Sequence, residues 1–301
     1  MYKSCFVSII GKPNAGKSTL LNTLIGQKIS IVSWRPQTTR NIITGVMHGE
    51  GYQIVFLDTP GIQHGKSLLN EYMSKSVRTA RAGADATLYV ADGSKRIDED
   101  EYIQIQRTAD AAKAPFIVAV NKTDAADREL LVKNLLRFND ADMKRVTAVV
   151  PISALKGANI DALKSELKKF LKEGGEYYSE DMITDKNLRF LAGEIIREKA
   201  LLYLEREIPH GVGVGITRYT LRGDGGIADI EAEILAEKQS HKPIIIGKGG
   251  AMLKKIASAA RRDIEKISGE RVFLRIWVKV REDWQDNYSL LKELGYDKKD
   301  I

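Results

Sequence analysis

Apolar residues along the first 172 positions are arranged in two ways. Continuous runs of strand length occur at Cys5–Ile10, Gly45–His48, Gln53–Leu57, Ala86–Ala91, Phe116–Val120 and Ala148–Ile152, and they predict strands covered on both faces. Between them, apolar residues recur at helical spacing. Helices are predicted over Lys17–Ile25, Leu68–Ala82, Glu99–Ala112, Asp127–Phe138 and Ile160–Leu171, the first with Leu20, Leu21, Leu24 and Ile25 on one face. Alternating strands and helices predict an α/β domain, residues 1–173, around a mostly parallel sheet. Ligands of such sheets sit at the carboxyl ends of the strands.

The pattern breaks at Lys172-Glu-Gly-Gly-Glu-Tyr-Tyr-Ser-Glu-Asp181, where paired glycines and mixed charge predict a linker over residues 174–184. A smaller α+β domain is predicted over 185–301. It opens with a helix from about Asp185 to Glu207, striped by Leu188, Leu191, Ile195 and Leu202 and interrupted by Glu198 and Lys199. Alternating segments Val212–Leu221 and Ile227–Glu237 follow, joined by a hairpin-like turn at Arg222-Gly-Asp-Gly-Gly226. Then come the apolar run Ile244–Ile246, a basic helix over Met252–Ile267, a strand over Val272–Val280 and a short helix near Tyr288–Leu294.

Length and composition suit this two-domain division: 301 residues, 43% of them hydrophobic. The one cysteine, Cys5, lies in the first apolar run, where it reads as a small core residue. It can form no disulfide within the chain, and a reducing compartment is expected. Met1-Tyr-Lys-Ser leads straight into the first strand, so no signal peptide is expected, and no apolar run nears the ~20 residues of a membrane span. The histidines (His48, His64, His210, His241) are too scattered to suggest a metal site. The net charge of +7 is concentrated. Between His241 and Arg281 there are eleven lysines and arginines and three acids. A solvated helix face interleaves both signs, whereas this block points to a polyanionic partner.

Candidate chemistry begins between the first strand and the first helix. Gly11-Lys12-Pro13-Asn14-Ala15-Gly16-Lys17-Ser18 fits G-x-x-x-x-G-K-S/T, followed by Thr19. Glycines let backbone N–H groups turn onto phosphate, and the helix N-terminus adds partial positive charge. Lys17 can reach the β- and γ-phosphates, and the Ser18 hydroxyl can ligate Mg²⁺. Asp58-Thr59-Pro60-Gly61 follows another strand. Its carboxylate can hold Mg²⁺, and the Gly61 N–H can meet the γ-phosphate. Asn121-Lys122-Thr-Asp124 follows a third. Asp124 can accept from N1–H and N2–H₂ of guanine, a donor pair that adenine lacks. Asn121 can hold loop and base edge, and the Lys122 stem can cover the ring. Ser153-Ala154-Leu155 follows a fourth strand, where a backbone N–H can reach guanine O6. Singly these strings read as helix caps and turns; four in order, each after a strand, do not.

In the second domain Gly247-Lys248-Gly249-Gly250 lies after Ile246 and before the basic helix with Lys254, Lys255, Arg261 and Arg262. Bare glycine backbone in a GXXG loop lets nucleic-acid phosphates come close. The order helix–strand–strand–helix–GXXG–helix–strand is that of a type II KH domain.

The first domain resembles translation-factor-class GTPases. That resemblance implies a first switch at Arg35-Pro-Gln-Thr-Thr-Arg40, with Thr39 as second Mg²⁺ ligand, and a second switch after Gly61. Lys17, Thr39 and Gly61 would be the catalytic set. Ile62 stands where Ras-like enzymes carry a water-orienting glutamine, with Gln63 next to it. In related GTPases an asparagine placed as Asn14 often accompanies K⁺; a loop-stabilising amide is the equal alternative. A single GTPase domain followed by a KH domain resembles the Era family of ribosome-assembly GTPases. The segments Ile245–Ile256 and Val272–Trp284 are especially close. The resemblance implies a monomer using GTP/GDP and Mg²⁺. It implies binding near the 3′ end of small-subunit ribosomal RNA and a role in 30S assembly, in the cytoplasm and sometimes peripherally at the membrane. Two other classes compete. One is a regulatory GTPase whose basic domain meets protein or acidic lipid, which Gly247–Gly250 disfavours. The other is a P-loop ATPase or kinase, which Asp124 disfavours.

Overall fold

The computed structural model describes residues 1–61, 65–139, 143–223 and 226–296. Its contacts divide the chain into two units. Met1–Ser30, Thr39–Gln63 and Met73–Asp185 form the first; Ile31–Thr38, His64–Tyr72 and Lys186–Ile301 form the second. Residues 31–38, whose last four (Arg35–Thr38) belong to the expected first switch Arg35–Arg40, thus keep company with the C-terminal part of the chain.

The first unit is a seven-stranded sheet in the order β2-β3-β1-β4-β5-β6, with β7 on β1. The strands are β1 (Lys3–Ile10), β2 (Ile43–Gly49), β3 (Tyr52–Asp58), β4 (Ala86–Asp92), β5 (Phe116–Asn121), β6 (Val146–Pro151) and β7 (Lys172–Glu173). All neighbours are parallel except β2 on β3 and β7 on β1. The helices are α1 (Lys17–Ile25), α2 (Leu68–Ala82, in this unit from Met73), α3 (Glu99–Asp110), α4 (Arg128–Leu136) and α5 (Ile160–Lys168). β1, β4 and β5 are closed off on both faces, which is why they read as continuous apolar runs; Val7, Leu88 and Val118 are fully buried. Helix starts follow their caps. The Asp98 carboxylate accepts from Glu101 N on α3, and Asp127 accepts from Glu129 N and Leu130 N on α4. Asp127 therefore precedes α4, and a 3₁₀ turn, Arg137–Asn139, closes it.

The stretch expected as a linker runs along the first unit. Val46 N donates to Ile183 O at 2.9 Å, Gln53 binds the backbone of Tyr177 and Tyr178, and the Tyr177 ring meets Phe6 edge-on at 5.0 Å. This covers the outer edge of β2, whose backbone would otherwise be open to pairing.

The second unit contains a three-stranded sheet in the order β10-β9-β8: β8 (Gly213–Leu221), β9 (Ile227–Ala236) and β10 (Arg271–Val280). β9 is antiparallel to β8 and parallel to β10. Its even positions (Ala228, Ile230, Ala232, Ile234, Ala236) are buried under α6 (Leu188–Tyr203) and α8 (Ala251–Ser268), which contribute Ile195, Ile196, Ile256 and Ile264. Burying each such isoleucine or valine contributes about 1.5–3 kcal/mol. α6 is shorter than its pattern suggested. Asn187 caps it by accepting from Phe190 N, and Leu204 leaves helical geometry at φ −85°, ψ 154°. α7 (His241–Ile246) turns the Ile244–Ile246 run into a helix end, and α9 (Tyr288–Glu293) follows the buried Trp284, whose Nε1–H donates to Gly211 O. In the β8–β9 turn Arg222 N donates to Ile227 O; Asp224 and Gly225 lie outside the described residues. No helix among the described residues is long and apolar enough to cross a membrane.

Candidate nucleotide and RNA sites

The parallel strands bring their carboxyl ends to one edge of the sheet, and every motif of the first unit lies there. β1 runs into Gly11–Ser18. A β-carbon at Gly11 would lie 2.3 Å from Val90 O, and one at Gly16 would lie 2.2 Å from Asn121 Nδ2. Both glycines have positive φ, so the loop is glycine for space as well as for torsion. Asn14 adopts φ 64°, a left-handed turn that asparagine tolerates better than most residues. Lys17 Nζ donates to Gly11 O at 3.1 Å and Lys12 O at 3.0 Å, folded back over the loop. Burial lowers its pKa to about 8, with Asp58 pulling the other way. The Lys12 side chain turns to Glu101 and Asp98 on and beside α3.

The expected metal-ligating oxygens converge. Ser18 Oγ lies 2.8 Å from Thr39 Oγ1 and donates to Asp58 Oδ2 at 2.8 Å; Ser30 Oγ donates to the same oxygen at 3.0 Å. Asp58 Oδ1 is buried with no hydrogen-bond partner. Burial raises the Asp58 carboxyl above its ordinary range, against Lys17 and the two hydroxyls. Two hydroxyls and a carboxylate with an unsatisfied buried oxygen fit a hard divalent cation such as Mg²⁺. Thr59 serves the sheet, its hydroxyl donating to Ile9 O. After Pro60, Gly61 approaches the phosphate loop so closely that a β-carbon would meet the Pro13 backbone at 3.0 Å. Ile62 and Gln63 lie outside the described residues.

The loops expected to recognise the base are tied to the expected phosphate loop through Asn121. Its Nδ2 donates to Ala15 O at 2.8 Å and its Oδ1 accepts from Ala154 N at 2.9 Å. Lys122 Nζ is held by Asp92 Oδ2 at 2.6 Å. Asp124 is exposed, and its Oδ1 accepts from Ser153 Oγ at 2.5 Å. Leu155 is 73% exposed. Three participants were not anticipated: Ser30 on Asp58, Asp92 on Lys122, and Thr23, whose hydroxyl donates to Ala154 O. Asp92, a carboxylate ending a strand at the ligand edge, carried a positional signal. Ser30 and Thr23 carried none.

In the second unit α7 ends at Gly247 (φ 76°, ψ 170°), and a single turn, Lys248–Gly250, enters α8. Gly247 is packed, since a β-carbon would meet Met252 N at 2.8 Å. Gly249 (φ 57°) and Gly250 (φ 79°) have nothing within 4 Å. Their bare backbone borders open space at the start of a helix with no acid in its first turn. Ile246 is half-buried; Lys248, Lys254, Lys255, Arg261 and Arg262 are exposed, and Lys255 Nζ lies 4.3 Å from the Tyr203 ring centroid.

Residues 6–122 match the family described as 50S ribosome-binding GTPase, and residues 207–285 match the KH domain family. GTPase Era of Clostridium botulinum (strain Okra) is 47% identical over 298 residues, 99% of each chain. The chain belongs to the Era family. GTPase Era of Alkaliphilus metalliredigens is also 47% identical, over 98% of this chain and 99% of its own. Two Era crystal structures superpose with TM-scores of 0.93, each covering 98% of this chain and 99% of the other. One, from Aquifex aeolicus, is a variant bound to GDP and AlF4⁻ (38% identical); the other is in complex with MgGDPNP and nucleotides 1506–1542 of 16S ribosomal RNA (39% identical).

Proposed function

We propose that this Era-family chain is a GTPase that uses Mg²⁺ and binds small-subunit ribosomal RNA near its 3′ end, in assembly of the 30S subunit. The observation that carries this reading is the gathering, at one sheet edge, of an anion loop, a three-oxygen cation cluster and a carboxylate suited to guanine. Lys17 and the loop N–H groups hold the phosphates; Ser18, Thr39 and Asp58 would hold Mg²⁺. Gly61 can approach the γ-phosphate because nothing but hydrogen stands between its backbone and Pro13. Asp124, turned by Ser153, selects guanine, and Asn121 keeps both loops in register. Bound Mg²⁺ neutralises charge on the β- and γ-phosphate oxygens. RNA recognition is assigned to the glycine loop Gly247–Gly250 and the lysines and arginines of α8. There the open space at Gly249 and Gly250 supports close approach of a phosphate backbone. The protein acts in this reading as a cytoplasmic monomer.

The test pairs two measurements on the full chain: GTP turnover with and without Mg²⁺, and binding of a 3′-terminal 16S-type RNA fragment by anisotropy. Asp124→Asn should impair the first and Gly249→Asp the second. RNA affinity equal in Gly249→Asp and wild type would remove the assignment of the glycine loop. Retention on acidic vesicles without RNA binding would favour a membrane-directed basic domain.

A further inference from the structure

The opposite edge of the first unit's sheet, where β4 and β5 begin, carries a cavity of about 520 Å³. Its walls come from the end of α2, the turn into β4, the turn between α3 and β5, and β7. Ala84, Ala112, Ala114 and Pro115 give it apolar walls, and Thr87 N donates to Pro115 O at 2.8 Å, which ties two of those walls together. Four cations stand round it: Arg78, Arg81, Lys113 and Lys172. Arg78 and Arg81 are three residues apart on α2 and share a face. Asp85, the one acid in the wall, has both oxygens engaged. Oδ1 accepts from Lys172 Nζ at 2.7 Å and Oδ2 from Phe6 N at 2.9 Å. Arg81 is half-buried and donates from Nη2 to Thr108 O at 3.2 Å, which occupies one of its five N–H groups. Burial lowers its pKa, with no carboxylate opposing. Arg78 and Lys113 are exposed and make no ion pair among the described residues.

One unpaired arginine on a surface is ordinary. Here cations from α2, the α3–β5 turn and β7 converge on one concavity, and its single carboxylate is matched by Lys172 alone. Three positive charges are left over apolar walls. A cleft lined by one sign of charge focuses its field and draws in the opposite charge. A cavity of this volume is of the size that holds small molecules. From this geometry we infer that the cavity is a second ligand site, one for a small organic phosphate of nucleotide size. Arg78 and Arg81 would take the phosphate, for which the guanidinium fork is suited, and the alanine walls would cover the organic body. The seven residues of β4, about 20 Å at ~3.3 Å each, separate this site from the edge that carries the phosphate loop. The two sites can therefore be filled together.

The test uses the full chain saturated with GDP and Mg²⁺, so that the first edge is occupied. Adenosine 5′-monophosphate is the probe, followed by equilibrium dialysis. It should bind at one per chain; inorganic pyrophosphate should displace it and adenosine should not. Arg81→Gln and Arg78→Gln should each weaken binding about ten-fold or more, the loss of one charge-assisted contact, with GDP affinity unchanged. Arg78 makes no hydrogen bond among the described residues, so its variant should also keep the wild-type Tm. Arg96→Gln removes the same charge from an exposed position beyond the far end of β4 and should bind the probe as wild type does. No saturable binding of the probe, displacement by adenosine but not by pyrophosphate, or equal weakening in Arg96→Gln would each overturn the proposal. So would a loss of 16S-type RNA affinity in Arg81→Gln with no binding of the probe to wild type, which would give these cations to an RNA backbone instead.

Discussion

Replacing Asp124 by asparagine should invert base preference. In the protein Asp124 Oδ1 is engaged by the Ser153 hydroxyl at 2.5 Å, and the residue is otherwise exposed, so the carboxylate is oriented yet has lone pairs to spare. With guanine it can accept from N1–H and N2–H₂. In the variant the Ser153 hydroxyl keeps the amide oxygen, and the NH₂ group turns to face those two donors. Two hydrogen bonds to a charged acceptor are lost, each about 1.5–3 kcal/mol. GTP and GDP should therefore bind about a hundred- to ten-thousand-fold more weakly. Xanthine carries a carbonyl in place of the exocyclic amine, so xanthosine nucleotides should bind more tightly than they do to wild type. The surface position predicts a stability change within about 0.5 kcal/mol. Competition against a fluorescent nucleotide, with each base in turn, measures both arms, and a thermal melt checks the fold. GTP affinity like that of wild type, or equal loss for both bases, would refute the assignment of Asp124.

With its pKa near 8, Lys17 is cationic below that pH and loses charge above it, whereas bound phosphate favours the ammonium. GDP affinity should therefore be flat below pH 8 and fall between pH 8 and 9; titration calorimetry showing a level profile would contradict this. The same depressed pKa makes the free protein bear the cost of a buried ammonium below pH 8 and regain that stability as pH rises from there toward the unfolded value of about 10.4. Gly249→Asp should abolish RNA binding, because a side chain at φ 57° adds strain and its carboxylate repels phosphate. For wild type, log affinity should fall with log salt at about −0.7 per phosphate neutralised on single strands. Hydrolysis should run faster in K⁺ than in Na⁺ at equal ionic strength if Asn14 helps hold a monovalent cation, and equal phosphate-release rates would leave Asn14 as a loop-forming residue only.

What could be read from the chain is what depends on neighbours in sequence. The run Cys5–Ile10, the glycine loop and the apolar face of α1 specify one strand–loop–helix unit within twenty-five residues. The expected site residues Ser18 and Asp58 stand together because each lies at the carboxyl end of a parallel strand, and Thr39 joins them because β2, which it precedes, runs antiparallel to β3. What escaped depends on distant partners. Glu198 and Lys199 read as interruptions of an apolar stripe; they are buried because Val32 N and Asp263 complete their bonding. Glycines and charges over 174–184 suggested a loose connector, and Gln53 and Val46 hold the end of that stretch from inside the sheet. The end of α6 moved because Leu204 turns extended and its carbonyl meets Arg35.

Asn121 spends both ends of its amide on backbone, one on Ala15 and one on Ala154. A single planar group thus acts as a gauge block between the loop proposed to hold phosphate and the loop proposed to border the base. The two motif positions are consequently not equivalent as genetic handles. On the proposed reading, change at Asp124 should alter which base is read. Change at Asn121 should instead alter the spacing between the two loops, with an effect common to all nucleotides.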